Sequence, residues 1–524
     1  MGLASRHVVD GALLVEFPEA STDEANQLAV SLREQMLLQP RPEVLDAIPG
    51  ARTLLVLFDP LTLPPVELDQ WIRSLPTSSL STHTRAFQIP VRYGGELGPD
   101  LEQLARERGL TVRQAIKKHL DAEYRVAFIG FAAGFPYLTG LPEVLHAPRL
   151  ASPRPRVAAG SVGIGGEYTG IYPAATPGGW RLIGRAAVKL FDAAEDPPSL
   201  LAPGDRVRFE ETSEAEFSNL LAGMRTAPAS ALDTPRVFRV VRPGLHSSIQ
   251  GAPRFGFGAL GVPPGGAMDL DALMRANVLL NNPVLAPGLE MTLSGPELEV
   301  LRGCRFCLAG APVEADLDGR SVPLERPCDA VAGQRLQIGG ILRGVRTYLA
   351  VSGGLADPRF SPEEARRIQK DELLHVAREC IELRPSLSGE NSAGPTSPLI
   401  LRAVLGPQAE RFSPKGIETF FSSEYRVSAS SDRRGIRLEG PAAELIGPSD
   451  IAPEGTAPGS VQVPGNALPI ILGPDRPVTG GYAKIATVIG ADLGRIAQAR
   501  PGDRVRFERV TVQEALAART AKRC

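Results

Sequence analysis

The chain has 524 residues, with 57 Lys and Arg against 59 Asp and Glu, for a formal net charge of −2. So even a balance gives no long-range attraction for nucleic acid or an anionic membrane, and neither is expected as a partner. No apolar run is long enough to cross a bilayer and the first residues carry no signal-peptide pattern, which reads as a cytoplasmic protein. The length exceeds what one core serves and predicts several domains. Gly 54 and Pro 48, with aromatics at only 5%, predict many tight turns between short strands. Five cysteines, few and odd in number, fit a reducing compartment. Cys304 and Cys307 have metal-type spacing, but no second pair accompanies them, so no metal site is expected.

Residues 1–84 read as a small α+β unit. Ala12–Phe17 is strand-like, and Ser21 with Glu24 forms a capping-box signature ahead of Ala25, Leu28, Leu32 and Met36 on one helical face. Thr53–Phe58 is a buried strand, and a short helix from Pro65 to Leu75 is entered at proline, so a ferredoxin-like arrangement is expected. Residues 85–212 open with the strand Phe87–Val91 and a helix over 99–109. A second helix follows, capped by Thr111 and Gln114, and short strands run from Tyr124 onward. Residues 213–235 read as a linker with one short amphipathic stretch. Strands return over 236–385, interrupted by a charged stretch from Pro362 to Glu379 that predicts a surface helix. Residues 386–398 are a Ser- and Gly-rich linker, 399–512 a last strand-rich unit, and 513–524 a tail.

Two parts of the chain echo each other. Pro203–Glu210 reappears letter for letter as Pro501–Glu508. Upstream, Gly160–Val162 and Gly178–Trp180 correspond to Gly459–Val461 and Gly480–Tyr482 at similar spacing. One β-rich module has therefore been used at least twice. Asp205, Arg206, Asp503 and Arg504 are its turn and rim residues.

Common catalytic signatures are missing. No Gly-Lys pair exists for a phosphate-binding P-loop, no Gly-x-Ser-x-Gly elbow is present, and no Met-Lys sequence offers a biotin attachment site. What remains is glycine-dense segments over 128–142, 159–172 and 176–185. Their backbone N–H groups suit an anion, and the same glycines suit turns and barrel corners.

These segments closely resemble the B-type subunit of bacterial ATP-dependent 5-oxoprolinase, also known as allophanate hydrolase subunit 1 or the kinase inhibitor KipI. The resemblance rests on Tyr93–Glu96, Gly98–Leu101, His119, Gly134–Tyr137, Pro148–Arg149 and Pro177–Trp180. The second half resembles the C-type subunit, also called allophanate hydrolase subunit 2 or KipA, through Gly265–Asp269, Ala276–Asn277, Leu289–Glu290, Ser431–Arg433, Gln462–Gly465 and Thr479–Lys484. The chain is thus identified as a fusion of the two, and the resemblance implies tandem cyclophilin-like β-barrels behind the α+β N-terminal domain. The pattern departs most after Ser352–Leu355, where a family segment gives way to the charged stretch.

The implied reaction takes 5-oxoproline, ATP and water to glutamate, ADP and phosphate, with Mg2+ accompanying the nucleotide. A separate A-type subunit of the LamB/YcsF kind is the implied partner. Two other activities in the same family stay open: inhibition of a sensor histidine kinase, and carboxyl transfer from carboxybiotin to urea or a related amide.

Lys484 is the candidate cation, lying just beyond Thr479, Gly480, Gly481 and Tyr482, whose turn N–H groups can share an anion with it. A solvated strand lysine is the alternative. Gln462 and Asn466 suit an amide substrate or simply a Pro-Gly turn. His119 is the candidate acid or base, or a half-buried structural histidine. Tyr137, Tyr172 and Trp180 are candidate walls of a small pocket, with Gly134, Ser161, Gly178 and Gly179 beside them as substrate or phosphate contacts.

Overall fold

Residues 2–76, 85–224, 234–356, 367–377 and 398–523 are described by a computed structural model. The apolar segments of the N-terminal unit form β1 (Ala4–Val9), β2 (Ala12–Glu16), β3 (Val44–Pro49) and β4 (Thr53–Phe58), in the antiparallel order β1-β2-β4-β3. This is the ferredoxin-like order with its outer strand supplied from the chain start. That strand escapes a hydrophobic pattern because Ser5, Arg6 and His7 occupy its middle. Helix α1 (Thr22–Leu38) begins at the expected capping box, in which Ser21 and Glu24 each accept from the other's backbone N–H. Helix α2 (Pro65–Ser74) starts at proline.

Strand β4 is buried on both faces, which explains its uninterrupted apolar run. Leu54, Val56 and Phe58 face α1 and α2, while Leu55 and Leu57 meet Val404, Val478 and Ile489 from the far end of the chain.

A closed barrel follows. Its elements are β5 (Ala86–Tyr93), helices α3 (Leu101–Glu107) and α4 (Val112–Leu120), β6 (Tyr124–Ile129), β7 (Pro136–Thr139), β8 (Arg154–Val157), β9 (Ser161–Gly165), β10 (Tyr168–Ile171), β11 (Thr176–Gly178), β12 (Arg181–Ala186) and β13 (Arg206–Glu211). Around the ring the order is β5-β12-β9-β10-β7-β6-β13, with β13 returning parallel to β5. Strands β8 and β11 pair outside the ring as a small flap. In the expected linker, α5 (Glu214–Gly223) forms from a Ser213–Glu216 capping box, and residues 225–233 lie outside the described set.

The next unit holds β14 (Arg236–Arg242), β15 (His246–Gln250), helix α6 (Leu270–Leu279), β16 (Gly288–Thr292), β17 (Glu297–Val300), β18 (Cys304–Gly310), β19 (Val313–Leu317), β20 (Arg320–Ser321), β21 (Cys328–Ala330), β22 (Arg335–Ile341), β23 (Arg346–Val351) and β24 (Leu373–His375). A barrel was expected here, and two packed sheets are found: β20-β19-β22-β17-β14-β24 and β15-β16-β23-β18-β21. The ring stays open because β15 and β21 end one sheet and β20 and β24 the other. Phe238, Leu298, Leu336, Phe306 and Leu349 fill the space between. The outer face of β18 and β23 is covered by α6, through Ala276 and Leu279 against Cys307, Ala309 and Ala350. Cys304 and Cys307 are buried thiols, and burial pushes Cys307 up to about 12. Of the stretch expected as a surface helix, residues 367–377 are described and hold β24, whose Leu374 is buried with Val376 just beyond it at the two-residue period of a strand. The rest of that stretch, and all of the 386–398 linker but Pro398, lie outside the described residues.

The last unit contains β25 (Leu399–Leu405), helix α7 (Pro414–Ser422), β26 (Glu424–Val427), β27 (Gly435–Glu439), β28 (Asp450–Gly455), β29 (Ser460–Gln462), β30 (Ile470–Leu472), β31 (Thr479–Tyr482), β32 (Lys484–Val488), helix α8 (Leu493–Ile496), β33 (Arg504–Arg509) and helix α9 (Val512–Arg523). Its ring runs β25-β32-β29-β30-β27-β26-β33, with β33 parallel to β25 and β28 pairing β31 outside, strand for strand the order of the first barrel. The repeated octapeptide makes the same turn twice: Asp205 accepts from Ala202 N and Asp503 from Arg500 N, each at 2.8 Å. The expected tail is α9, which docks on the N-terminal unit through Arg519 to Asp10 at 2.9 Å. Among the described residues, no helix is long and apolar enough to cross a membrane.

Glycines permit the close approach of these units. A Cβ on Gly130, just after β6, would overlap Thr479 Oγ1, and one on Gly50 would lie 2.7 Å from Glu454 Cα. Gly130→Ala is therefore expected to lower stability by about 1–3 kcal/mol through overpacking. Adding Thr479→Ala, which removes the nearest atom, should restore part of the loss in thermal unfolding. An unchanged melting temperature in the single variant would contradict this packing.

Candidate functional site

The two barrels carry the same polar station with different charges. Strand registers pair Leu182 with Gly163 and Arg154 with Gly178 in the first barrel; in the second they pair Lys484 with Gln462 and Glu454 with Gly480. Lys484 is thus the counterpart of Leu182, and Glu454 of Arg154. In the first barrel Asp100 accepts from Leu182 N at 2.6 Å and from Arg154 at 2.7 Å, a self-contained ion pair. In the second, Gln408 stands in the place of Asp100. Its Oε1 accepts from Lys484 N at 3.3 Å and its Nε2 donates to Glu454 Oε1 at 2.8 Å.

The cation of this station is therefore Lys484 itself. Its Nζ lies 2.6 Å from Glu454 Oε1, off the direction of a good hydrogen bond, so the contact is an ion pair with donors to spare. Lys484 is 1% exposed, Glu454 6% and Gln408 7%, so the charges sit where solvent screens them little. The solvated-lysine alternative is excluded by this burial. Beside them Gln462 Nε2 is buried with no partner among the described residues, and it fills the space that a Cβ on Gly480 would need. Buried donors left unused cost free energy unless something accepts from them, which marks this corner as a place for a ligand.

Arg476 adds a second unspent cation. It is fully buried, gives Nε to Thr456 O at 3.0 Å, and has no partner for either terminal nitrogen among the described residues. Burial pushes it down to about 10, with Asp46 and Asp475 opposing the shift. By contrast, the motifs around Glu290 and Arg433 close on each other. Arg433 donates to Glu290 at 2.6 Å and to Asp475 at 2.7 Å, and Glu290 accepts from Met268 N and Tyr348 OH. Burial alone would raise Glu290, but Arg433 and Arg346 outweigh it and hold the carboxyl below its usual range. This network is a strut between the two C-terminal units, with both Glu290 oxygens engaged.

The other sequence-derived candidates divide between two places. Thr479, Gly480 and Gly481 join Lys484 and Gln462 on β31 and its flap, with Tyr482 at the flap's end and 38% exposed. Tyr137, Tyr172 and Trp180 form a packed aromatic cluster in the first barrel rather than walls of an opening. Trp180 meets Tyr137 edge-on at 5.3 Å and lies over Gly165, while Tyr172 OH fills the space a Cβ on Gly178 would need. Burial raises the Tyr137 hydroxyl to about 12. Ser161 is a buried strand residue, the Gly179 carbonyl accepts from Leu150 N, and Gly134, at φ +74, donates its N–H to Leu260 O. Asn466 is exposed and caps its own turn through Leu468 N.

His119 belongs inside the first barrel's core and corrects the acid–base expectation. It is 1% exposed, stacks on Phe209 at 4.6 Å, and contacts Tyr93 OH at 2.8 Å and Thr169 Oγ1 at 3.1 Å. Thr169 spends its proton on Gly163 O, so Nε2 of His119 donates and Nδ1 accepts from Tyr93. Desolvation pushes the imidazole down to about 3, leaving it neutral and without access to substrate.

Gln408, Glu454 and Arg476 went unnoticed in the sequence. One signal was present: Leu97–Asp100 and Leu405–Gln408 share Leu-Gly-Pro before the station residue, an extension of the internal repeat. Glu454 carries no such mark, because its counterpart is an arginine.

Residues 4–201 match the family model of the carboxyltransferase domain, subdomains C and D, and residues 260–509 that of subdomains A and B. Over 177 residues the chain is 49% identical to the B-type subunit of 5-oxoprolinase from Escherichia coli O157:H7, covering 33% of this chain and 80% of that protein. Over 295 residues it is 32% identical to the C-type subunit of 5-oxoprolinase from Escherichia coli K12, covering 54% of this chain and 94% of that protein. The crystal structure of TTHA0988 superposes with a TM-score of 0.84 at 34% identity, covering 95% of this chain and 99% of the other.

The depressed imidazole has a stability consequence. Between pH 6.5 and about 3 the unfolded chain binds a proton that folded His119 refuses, so its contribution is complete above pH 6.5 and is lost as pH falls. His119→Gln should cost about 1–3 kcal/mol at pH 7.5, since Tyr93 and Thr169 lose a partner. The gap to wild type should narrow at pH 5 in urea unfolding. A gap that does not change with pH would contradict the assignment.

Proposed function

The chain belongs to the carboxyltransferase-domain family that includes the B-type and C-type subunits of 5-oxoprolinase, and on that premise we infer that it is a fused B and C component of an ATP-dependent 5-oxoprolinase. The enzyme is completed by a separate A-type subunit. The observation that carries this reading is the union of both halves in one polypeptide, with the sheet of the B-like half docked on the barrel of the C-like half through β4. The unspent donors around Lys484 lie at the seam between the two.

A lactam is a poor electrophile because amide resonance protects its carbonyl. Transfer of the ATP γ-phosphoryl group, with Mg2+ accompanying the nucleotide, to the lactam oxygen releases ADP and weakens that resonance. Water then adds to the ring carbon, the carbon–nitrogen bond opens to the amine, and a second water releases phosphate and leaves L-glutamate. In this sequence Lys484 balances negative charge on the reacting oxygens, and Gln462 Nε2 donates to a carbonyl oxygen. Glu454, 2.6 Å from Lys484, accepts a proton from the attacking water.

The test is ADP release dependent on 5-oxo-L-proline, measured with the purified chain on its own, with an A-type subunit on its own, and with the two together. Activity is expected only when both are present. Lys484→Met with Glu454→Gln, which removes both charges and leaves neither buried alone, should lower kcat by about 100-fold or more. Absence of stimulation with every cognate A-type subunit would overturn the reading.

A further inference from the structure

A cavity of about 300 Å³ lies between the N-terminal sheet and the β28 flap of the second barrel, at the small end of the range for ligand pockets. One wall comes from the B-like half and includes Arg52 and Thr53. The other comes from the C-like half and includes Gln408, Arg411 and Glu454. Gln408 and Glu454 are the exposed side of the buried station, with Lys484 directly behind.

The cavity is lined by three arginines, Arg6, Arg52 and Arg411, and three glutamates, Glu16, Glu410 and Glu454, and they do not all pair with one another. Arg6 is taken up by both oxygens of Glu16 at 2.9 Å and by Pro407 O. Glu454, which lines the cavity, uses Oε1 for both Gln408 and Lys484, and Oε2 takes part in neither contact. Arg52 gives its terminal nitrogens to Thr22 Oγ1 and Ala20 O, both neutral acceptors at 2.9 Å. Among the described residues no carboxylate pairs with Arg52 or with Arg411, and both are half-buried. Thr53 is 7% exposed and its Oγ1 has no partner among the described residues. Two guanidinium groups with no ion-pair partner among the described residues, and a hydroxyl, thus share one small space with a buried amide–carboxylate pair, Glu410 lying exposed at its edge.

We propose that this cavity binds a small amide bearing a carboxylate, the guanidinium groups of Arg52 and Arg411 holding the carboxylate and Gln408 with Glu454 holding the amide. Planar guanidinium suits a carboxylate because its N–H groups match both oxygens. At the other end Glu454 accepts the amide N–H. The identification of the ligand as 5-oxo-L-proline rests on the 5-oxoprolinase reading. The composite wall is independent of it, and it makes the site incomplete in either half alone.

The test is calorimetric titration of the full chain, without nucleotide or A-type subunit, with 5-oxo-L-proline, with 2-pyrrolidinone, which lacks the carboxylate, and with acetate. Binding of 5-oxo-L-proline is expected, with 2-pyrrolidinone at least about tenfold weaker. Arg411→Gln should weaken binding by about ten- to a hundredfold, the value of one charge-assisted contact. Arg52→Gln should do the same, and because Arg52 also holds Thr22 and Ala20, Thr53→Val is included as a variant that removes only a hydroxyl. No binding by the wild type, or equal binding in the Arg411 and Thr53 variants, overturns the proposal. If oxoprolinase activity with an A-type subunit is present while KM is unchanged in Arg411→Gln, the cavity assignment fails and the function stands. If that activity is absent while 5-oxo-L-proline still binds with this pattern, the reverse holds.

Discussion

The structure depends on main-chain contact between segments hundreds of residues apart. At Gly50 the N-terminal unit touches the backbone of Pro453 and Glu454, with Ala51 N donating to Pro453 O at 2.7 Å. At Gly130 the first barrel meets Thr479, and Asp46 of β3 accepts from Gly256 N and Gly258 N of the middle unit. A Cβ at Gly50, Gly130 or Gly258 would meet atoms of the neighbouring unit at 2.7 Å or less, so the units approach this closely only where no side chain intervenes. The same contacts remove water from Lys484, Glu454 and Arg476, so the geometry that joins the halves also gives those charges their strength.

Duplication explains how such a station arises. The first barrel holds Asp100 and Arg154 as a closed pair, with both Asp100 oxygens engaged. In the second, Gln408 stands in place of the acid, Glu454 in place of the arginine and Lys484 in place of an apolar leucine, at the same strand registers. Gly163 likewise gives way to Gln462, whose amide lies over Gly480 where the Tyr172 hydroxyl lies over Gly178 in the other copy. The fold tolerated this because each barrel ring closes through backbone pairing, which is indifferent to the side chains lying on the flap. The middle unit shows the opposite outcome: its strands split into two sheets, and its charged residues went into the Glu290–Arg433 strut that fixes it to the neighbouring barrel.

Burial also separates residues that looked alike in function. His119 and Lys484 are both 1% exposed, yet the imidazole has both nitrogens engaged and the ammonium has donors left over. Buried polar groups that are satisfied stiffen a core, whereas unsatisfied ones create a demand for a partner.

The sequence by itself determined the repeat, the capping boxes at Ser21 and Thr111, the turn at Asp205 and Asp503, and the strand-rich class, because each is written in local spacing or in a few adjacent residues. It also marked Lys484, Gln462 and the Gly480 corner through their place beside one glycine segment. Tertiary structure alone decided that His119 is sealed in a core, that Tyr137 and Trp180 pack on each other, and that β1 completes the first sheet from a polar stretch. It alone decided that Arg52, Gln408 and Glu454 share one cavity. Most of those outcomes turn on contacts between residues far apart in the chain, such as the 50 positions between His119 and Thr169 and the 46 between Gln408 and Glu454. Nothing in a local pattern records which distant backbone will come to lie against it.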